Sequence, residues 1–299
     1  MVKQIWNPDI VARASTLHIR ARQLAWGYRF GHHRSPKVSR SIEFAEHKEY
    51  HPGDPIRDID WRVYARTERL LVRRQQADTE LSLVFVLDAS ADMALGFQSY
   101  PDWEQSHFGR AATLIASLTL LAQRRGERIA LFIMGGTGYD VHWLAPKSSK
   151  NHMIHILNIL ASIKTEGKAN LSTGLEKLSE LIPKRSLVYI LSDFMEEPAE
   201  WGPALCSLAA QKNDLRLIHH FSKKEFDFSF DEVGQFLSSE YAQPLSLDTQ
   251  KVRTDFHSIV QEYMEEMRLW CGKSTSHYIA SALEYSLEET FVRMIKGTY

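Results

Sequence analysis

Two short apolar runs that each end in a carboxylate constrain this chain more than any other feature. Residues 81–87, Leu-Ser-Leu-Val-Phe-Val-Leu, run into Asp88, and residues 187–191, Leu-Val-Tyr-Ile-Leu, run through Ser192 into Asp193. Both runs are uncharged and rich in β-branched and aromatic residues, the composition of strands covered on both faces by helices. An aspartate inside such a layer would lose its hydration at a cost of several kcal/mol. Each carboxylate therefore belongs at the C-terminal edge of a parallel sheet, facing the crevice where α/β proteins bind ligands. A single strand-end aspartate can equally cap the next helix or turn. Here three segments agree: Asp88-Ala89-Ser90-Ala91-Asp92 after the first strand, Thr173 in a polar loop, and Asp193 after the second strand. Two hydroxyls and three carboxylates are thus predicted to meet around one hard cation.

The rest of the pattern supports such a sheet. From residue 81 it alternates as strand 81–88, helix 107–125, strand 128–135, edge strand 139–145, helices 150–162 and 173–182, strand 186–192, helix 199–211 and strand 215–220. That order predicts an α/β fold, a doubly wound and mostly parallel sheet. Phe108, Ala111, Ala112, Ile115, Leu118 and Ala122 form the core stripe of the first of these helices. Residues 231–248 read as an inserted hairpin, and helix 251–270, strand 277–281 and helix 286–296 complete the last crossover. Upstream, Ile10, Val11, Ala14, Leu17, Ala21 and Leu24 predict a helix over residues 8–26, with Asn7 as its cap and Gly27 and Gly31 breaking it. Residues 37–78 read as short strands joined by a turn at Pro52-Gly53-Asp54-Pro55. The expected organisation is an N-terminal extension, 1–78, and a main domain, 79–299.

Charge separates the two parts. Residues 1–80 hold fifteen Lys and Arg against ten Asp and Glu, whereas the remainder holds twenty-one against twenty-seven, for a net charge of −1 overall. That balance argues against general nucleic-acid binding. In the extension, Arg57, Arg62, Arg66, Arg69, Arg73 and Arg74 alternate with Asp54, Asp58, Asp60 and Glu68. The run reads as ion pairs pinning the extension, as a docking surface for an acidic protein, or as an RNA contact. Trp61 and Tyr64 read as core anchors.

The strand-end spacing resembles the metal-ion-dependent adhesion site (MIDAS) of von Willebrand factor A domains, where Asp-x-Ser-x-Ser, a distant Thr and a later Asp hold magnesium or a similar cation. Asp88 and Ser90 match the first two places, Thr173 the loop hydroxyl and Asp193 the last carboxylate; Asp92 stands where the second Ser is usual. Three carboxylates around Mg²⁺ would leave a formal −1 where the usual pattern is neutral. A partner carboxylate ~5 Å from that extra charge would meet roughly 3 kcal/mol of repulsion at an effective dielectric of 20. A second segment is more specific: Glu43-Phe44-Ala45-Glu46-His47-Lys48-Glu49-Tyr50-His51-Pro52-Gly53-Asp54, then Arg57-Asp58-Ile59-Asp60-Trp61 and Ala65-Arg66. It resembles the signature of the bacterial "domain of unknown function 58" family, which carries a von Willebrand A-like domain, and the match runs in order from about Leu17 to the C-terminus. The resemblance implies a protein partner, a MoxR-type AAA+ ATPase, and no defined activity.

Other motifs lead elsewhere or nowhere. Gly272-Lys273-Ser274 lacks the earlier glycine of a phosphate loop, where Met267 stands, and follows an amphipathic helix. Gly135-Gly136-Thr137-Gly138 reads as a turn between strands. His47 and His51 are spaced like a zinc pair, but Pro52-Gly53 ends any helix there. His152, His155, His219 and His220 read as solvated faces or strand ends. Cys206 and Cys271 read as small buried hydrophobes in a reducing compartment. The run 114–122 is too short to cross a bilayer, and residues 1–8 do not form a signal peptide, so the expected location is cytoplasmic. The expectation is a non-enzymatic interaction protein with a Mg²⁺ site formed by Asp88, Ser90, Asp92, Thr173 and Asp193. The alternative is a metal-dependent hydrolase on the same carboxylates.

Overall fold

In the computed structural model, residues 8–31, 47–50, 61–73, 82–95, 105–136, 143–226, 233–237 and 244–297 are described. The elements in chain order are α1 (Pro8–Gly31), β1 (His47–Glu49), α2 (Trp61–Thr67), β2 (Leu71–Arg73), β3 (Ser82–Asp88), α3 (His107–Arg124), β4 (Arg128–Met134), β5 (Trp143–Lys147), α4 (Lys150–Ser162) and α5 (Leu171–Leu181). They continue as β6 (Leu187–Ser192), α6 (Pro198–Ala210), β7 (Asp214–Phe221), α7 (Lys223–Phe226), β8 (Val233–Leu237), β9 (Pro244–Asp248), α8 (Thr249–Ser274), β10 (His277–Ala282) and α9 (Leu287–Lys296).

Six strands form one sheet in the order β10-β7-β6-β3-β4-β5, all parallel except the edge strand β5, which runs antiparallel to β4. This is the doubly wound arrangement expected from the sequence. The chain winds one way from β3 through β4 and the other way through β6, so the order reverses between β3 and β6. That boundary is the topological switch point, the place where open α/β sheets form their ligand crevice. Register fixes it: Leu87 pairs with Leu191, so Asp88 and Asp193 leave the same sheet edge on adjacent strands.

Strand period sorts the core. Leu83, Phe85 and Leu87 join a cluster with α3, α4 and α9, while Val84 and Val86 face the opposite cluster with α5, α6 and α8. Helix α3 lies deepest, with the expected stripe from Phe108 to Ala122 buried. Its N-cap Ser106 accepts the Gly109 N–H at 3.0 Å.

Two expectations about the N-terminal part need correction. Helix α1 extends through Gly27 to Gly31, and its Leu17, Ala21, Leu24 and Ala25 are buried against α3 and α4. Three to four residues of spacing make that stripe a packing face, so α1 belongs to the main unit. The chain divides into residues 1–31 with 82–299, and residues 32–81, instead of at 78/79. Within the smaller unit, β1 and β2 pair antiparallel, but residues 61–67 form α2 where strand was expected. Trp61 and Tyr64 stand on α2 57% and 40% exposed, edge to face at 6.1 Å, and are not core anchors. A one-turn offset on a short helix leaves both on an open face. The turn at residues 52–55, the cap Asn7 and the acidic partners Asp54, Asp58 and Asp60 lie outside the described residues, as do Arg57 and Arg74.

Elsewhere the differences are smaller. The edge strand is 143–147, shifted from 139–145, and α5 starts two residues early. The expected hairpin is present as β8 and β9, paired from Val233 with Asp248 to Leu237 with Pro244. Among the described residues, no helix is long and apolar enough to cross a membrane. Both cysteines are free; Cys271 is buried, and Cys206 is half-buried where full burial was expected.

Candidate functional site

The switch point is built around Asp88. Its side chain is 5% exposed, a placement that costs several kcal/mol unless donors replace the lost water. The chain supplies them: Oδ1 accepts the Ser90 N–H at 2.8 Å and Oδ2 accepts the Ser192 hydroxyl at 2.6 Å. The first contact is an Asx turn through the backbone N–H of Ser90, which bends the chain away from the end of β3. The second joins the ends of β3 and β6. Ser192 Oγ also accepts the Phe194 N–H at 3.0 Å, so one hydroxyl relays between both strand ends.

The segment after β6 is held under strain. Phe194 is buried with φ of 50°, a region that costs a bulky residue on the order of 1–3 kcal/mol. Its ring packs on Trp201 and His219, and its carbonyl accepts the Tyr263 hydroxyl. These contacts hold Asp193 half-buried on one side and Met195 76% exposed on the other. Asp193 Oδ1 accepts the Met195 N–H at 3.3 Å.

Two more segments close the crevice. Gly136 has φ of +79°, and a Cβ there would stand 3.0 Å from Ala89 Cβ and 3.1 Å from the Lys164 carbonyl. Only glycine lets the loop after β4 run this close to the Asp88 segment. Ala91 N–H donates to the Gly167 carbonyl and Gly136 N–H to the Glu166 carbonyl, joining residues 89–91, 135–136 and 163–167. Thr173 lies in the first turn of α5, not in a loop: its N–H and its hydroxyl both reach Asn170 Oδ1 at 2.7 Å. Asn170 is the N-cap, a role the sequence permits for any Asn ahead of an apolar run. Gly174 brings that turn onto the sheet, since a Cβ there would sit 2.3 Å from Met134 Sδ.

Sequence reasoning missed Glu196. Its Oε1 accepts the Leu171 N–H at 2.6 Å, tying the N-terminus of α5 to the segment after Asp193. Its Oε2 is buried without a hydrogen-bond partner. Burial first, then the charge of Asp88, push its carboxyl above the usual range, while the Leu171 and Ser172 N–H groups pull it down. No local motif marks a carboxylate that caps a helix starting 25 residues earlier.

The five expected residues therefore share one sheet edge, in three linked segments. Asp88 and Ser90 are buried, Asp92 opens a 3-10 turn and is half-buried, and Thr173 is exposed. All their side-chain donors are oxygens, the chemistry of a hard cation such as Mg²⁺ and not of zinc. Among the described residues, no group of three or more His, Cys, Asp or Glu side chains is arranged to hold a metal ion.

The histidines differ from the sequence reading. His219 and His220 end β7 as expected but are 2% and 0% exposed, and His152 is buried with Nε2 2.8 Å from the Ile129 carbonyl. None of the three is solvated, because helices cover both sheet faces here; His155 is exposed.

Strand order and the antiparallel edge define an α/β protein with a doubly wound sheet, and the fold is similar to that of von Willebrand factor A-like domains. The chain belongs to the family described as "Protein of unknown function DUF58", whose profile matches residues 46–266. Uncharacterized proteins of Mycobacterium tuberculosis (strain H37Rv) and Mycobacterium bovis are each 27% identical over 255 residues, 84% of this chain and 77% of the relative. Among solved structures, conserved hypothetical protein BatB from Bacteroides thetaiotaomicron is similar at 11% identity and a TM-score of 0.46, over 72% of this chain and 99% of that one. An aerotolerance-related membrane protein from Bacteroides fragilis matches at 12% identity and 0.47, over 72% and 98%. The SpRpn10 VWA domain matches at 10% identity and 0.39, over 73% and 96%.

Proposed function

We propose that this chain is a non-enzymatic interaction module whose partner docks at the switch-point crevice in a cation-dependent way. Domains of this class often mediate protein interactions. The observation that carries the reading is Asp88, a buried carboxylate whose orientation is fixed by the Ser90 N–H and the Ser192 hydroxyl. A side chain held this rigidly at a crevice is preorganised for a ligand. Asp88, with Ser90, Asp92, Thr173 and Asp193 directly or through water, would hold Mg²⁺; the cation when bound supplies a positive centre for a partner's oxygen. Met195, 76% exposed beside Asp193, and Leu95, exposed after the Asp92 turn, supply apolar rim contacts.

The partner proposed is a MoxR-type AAA+ ATPase, and the site of action the cytoplasm. Pull-down of such an ATPase by the full chain, with Mg²⁺ and with chelator, tests this reading. Capture that needs Mg²⁺ and fails for Asp88→Ala supports it; capture insensitive to both rejects the crevice as the docking site. Asp92→Ser should weaken Mg²⁺ binding and make capture more cation-dependent, since it removes a charge that repels an acidic partner group.

One observation favours a metal-dependent hydrolase instead. Glu196 sets a carboxyl with a raised pKa near Asp88, as acid-base catalysts require. Mg²⁺-dependent release of nitrophenol from a nitrophenyl phosphate diester, lost in Glu196→Gln, would establish it.

A further inference from the structure

Unmet hydrogen bonds gather at a second place on the same sheet edge. Nδ1 of His107, Nε of Arg110, both ring nitrogens of His220 and Oγ of Ser281 are buried with no hydrogen-bond partner. All four residues are buried, three of them almost completely. They are neighbours: His220 pairs with Ser281 across β7 and β10, and the His107 and His220 rings stand edge to face at 6.4 Å. His107 and Arg110 lie three apart in the first turn of α3 and so share a face. The guanidinium is anchored from the far side, with Nη1 and Nη2 donating to the Leu283 and Tyr285 carbonyls at 3.4 and 3.0 Å.

A buried polar atom without a partner costs about 1–3 kcal/mol, and folded proteins rarely leave several together without a ligand or water. The chemistry here favours an acceptor. Arg110 Nε can only donate, the Ser281 hydroxyl can donate, one of the two His220 ring nitrogens carries an N–H while the other accepts, and His107 Nδ1 donates in its Nδ1–H tautomer, which makes four donors against one acceptor. Arg110 adds a full positive charge, and the N-terminus of the 18-residue helix α3, with no acidic residue in its first turn, adds a partial one. The charges of Glu284 and Glu288 both act on Arg110, but the Glu284 carboxylate is engaged by the Ser222 hydroxyl and the Lys223 N–H, each at 3.1 Å. We propose that His107, Arg110, His220 and Ser281 enclose a site for a small monovalent anion of chloride or bromide size at the N-terminus of α3. The bound anion neutralises Arg110 and ties α3 to the ends of β7 and β10, one strand beyond the Asp88 crevice.

Thermal unfolding of the full chain in NaCl and NaBr, against sodium gluconate at equal ionic strength and pH, is the direct test. A saturable rise in Tm with either halide is expected, with an anomalous bromide peak among the four side chains in a soaked crystal. Ser281→Ala should weaken the halide response several-fold and His220→Leu should abolish it; if His220→Leu does not fold, Ser281→Ala decides. Equal Tm values in all three salts, a halide response unchanged in Ser281→Ala, or density for water alone would overturn the proposal.

Discussion

The strand ends at Asp88 and at His220 lie on one sheet edge, both almost fully buried, and they handle polarity in opposite ways. Asp88 is satisfied because its own turn and the neighbouring strand supply donors at 2.8 and 2.6 Å. His220 gives its charge up: burial, then His107, Arg110 and His219, hold it well below its ordinary pKa. Backbone geometry explains the contrast. An aspartate reaches its own Asx-turn N–H, whereas an imidazole standing on a paired strand reaches no local donor or acceptor. The polar groups at the Asp88 end are consequently satisfied within the chain, whereas both ring nitrogens at the His220 end are left without a hydrogen-bond partner.

Acid should separate the two ends with the largest effect. Burial, then Arg110, lower His107 to about 4, with Glu284 opposing; burial lowers His219 to about 3, and His152 is lowered too. For groups whose folded pKa lies below the unfolded 6.5, the folded state binds fewer protons between the two values. Their stabilisation is complete above about pH 6.5 and is lost as pH falls towards 4 and then 3. His107 alone carries on the order of 3 kcal/mol of this loss. Urea unfolding at pH 7 and pH 5 should show the decline, and a stability flat over that interval would mean the histidines are not buried as neutral groups.

Next in size is Asp88→Ala, which removes two charge-assisted hydrogen bonds. A loss of about 2 kcal/mol in chemical unfolding is expected, with cooperative folding retained because the core on both faces is apolar. Collapse to a non-cooperative transition would show that Asp88 is a structural cap above all. Gly136→Ala should cost about 1–3 kcal/mol through its positive φ and its contact with Ala89, measurable as a lower Tm; an unchanged Tm would show that the Gly136 loop does not brace the Asp88 segment. Smallest is Thr173→Ala at the exposed rim, where losing the hydroxyl bond to Asn170 should shift stability by about 0.5 kcal/mol. A larger change would mean that the α5 N-terminus depends on that hydroxyl and not on Glu196.

Much of the fold was legible because buried parallel strands leave continuous apolar runs: the spans around Phe85, Leu131 and Ile190 each lie within a residue of their observed limits. Helix α4 was legible to the residue, since Ser149 and Ile163 flank its apolar stripe. What failed depended on tertiary partners. Nothing local says that Leu17 and Ala21 face α3, that Trp61 stands on an open helix face, or that His220 is enclosed. At the site, the strand-end carboxylates were readable because charge is excluded from the core, while Ser192 and Glu196 were not. Both act on residues distant in sequence: the Ser192–Asp88 pair becomes visible only through the register of β3 with β6, and the Glu196–Leu171 pair only once the start of α5 stands beside the segment after β6.

The central claim is that Asp88 is held ready for a hard cation, and titration calorimetry of Mg²⁺ into the full chain, beside Asp88→Ala, tests it most directly. Saturable binding by the wild-type protein that disappears in the still-folded variant is the expected result. Equal heats for the two proteins, or no binding by either, would contradict the claim and leave the Asp88 hydrogen bonds as a clasp between two strand ends.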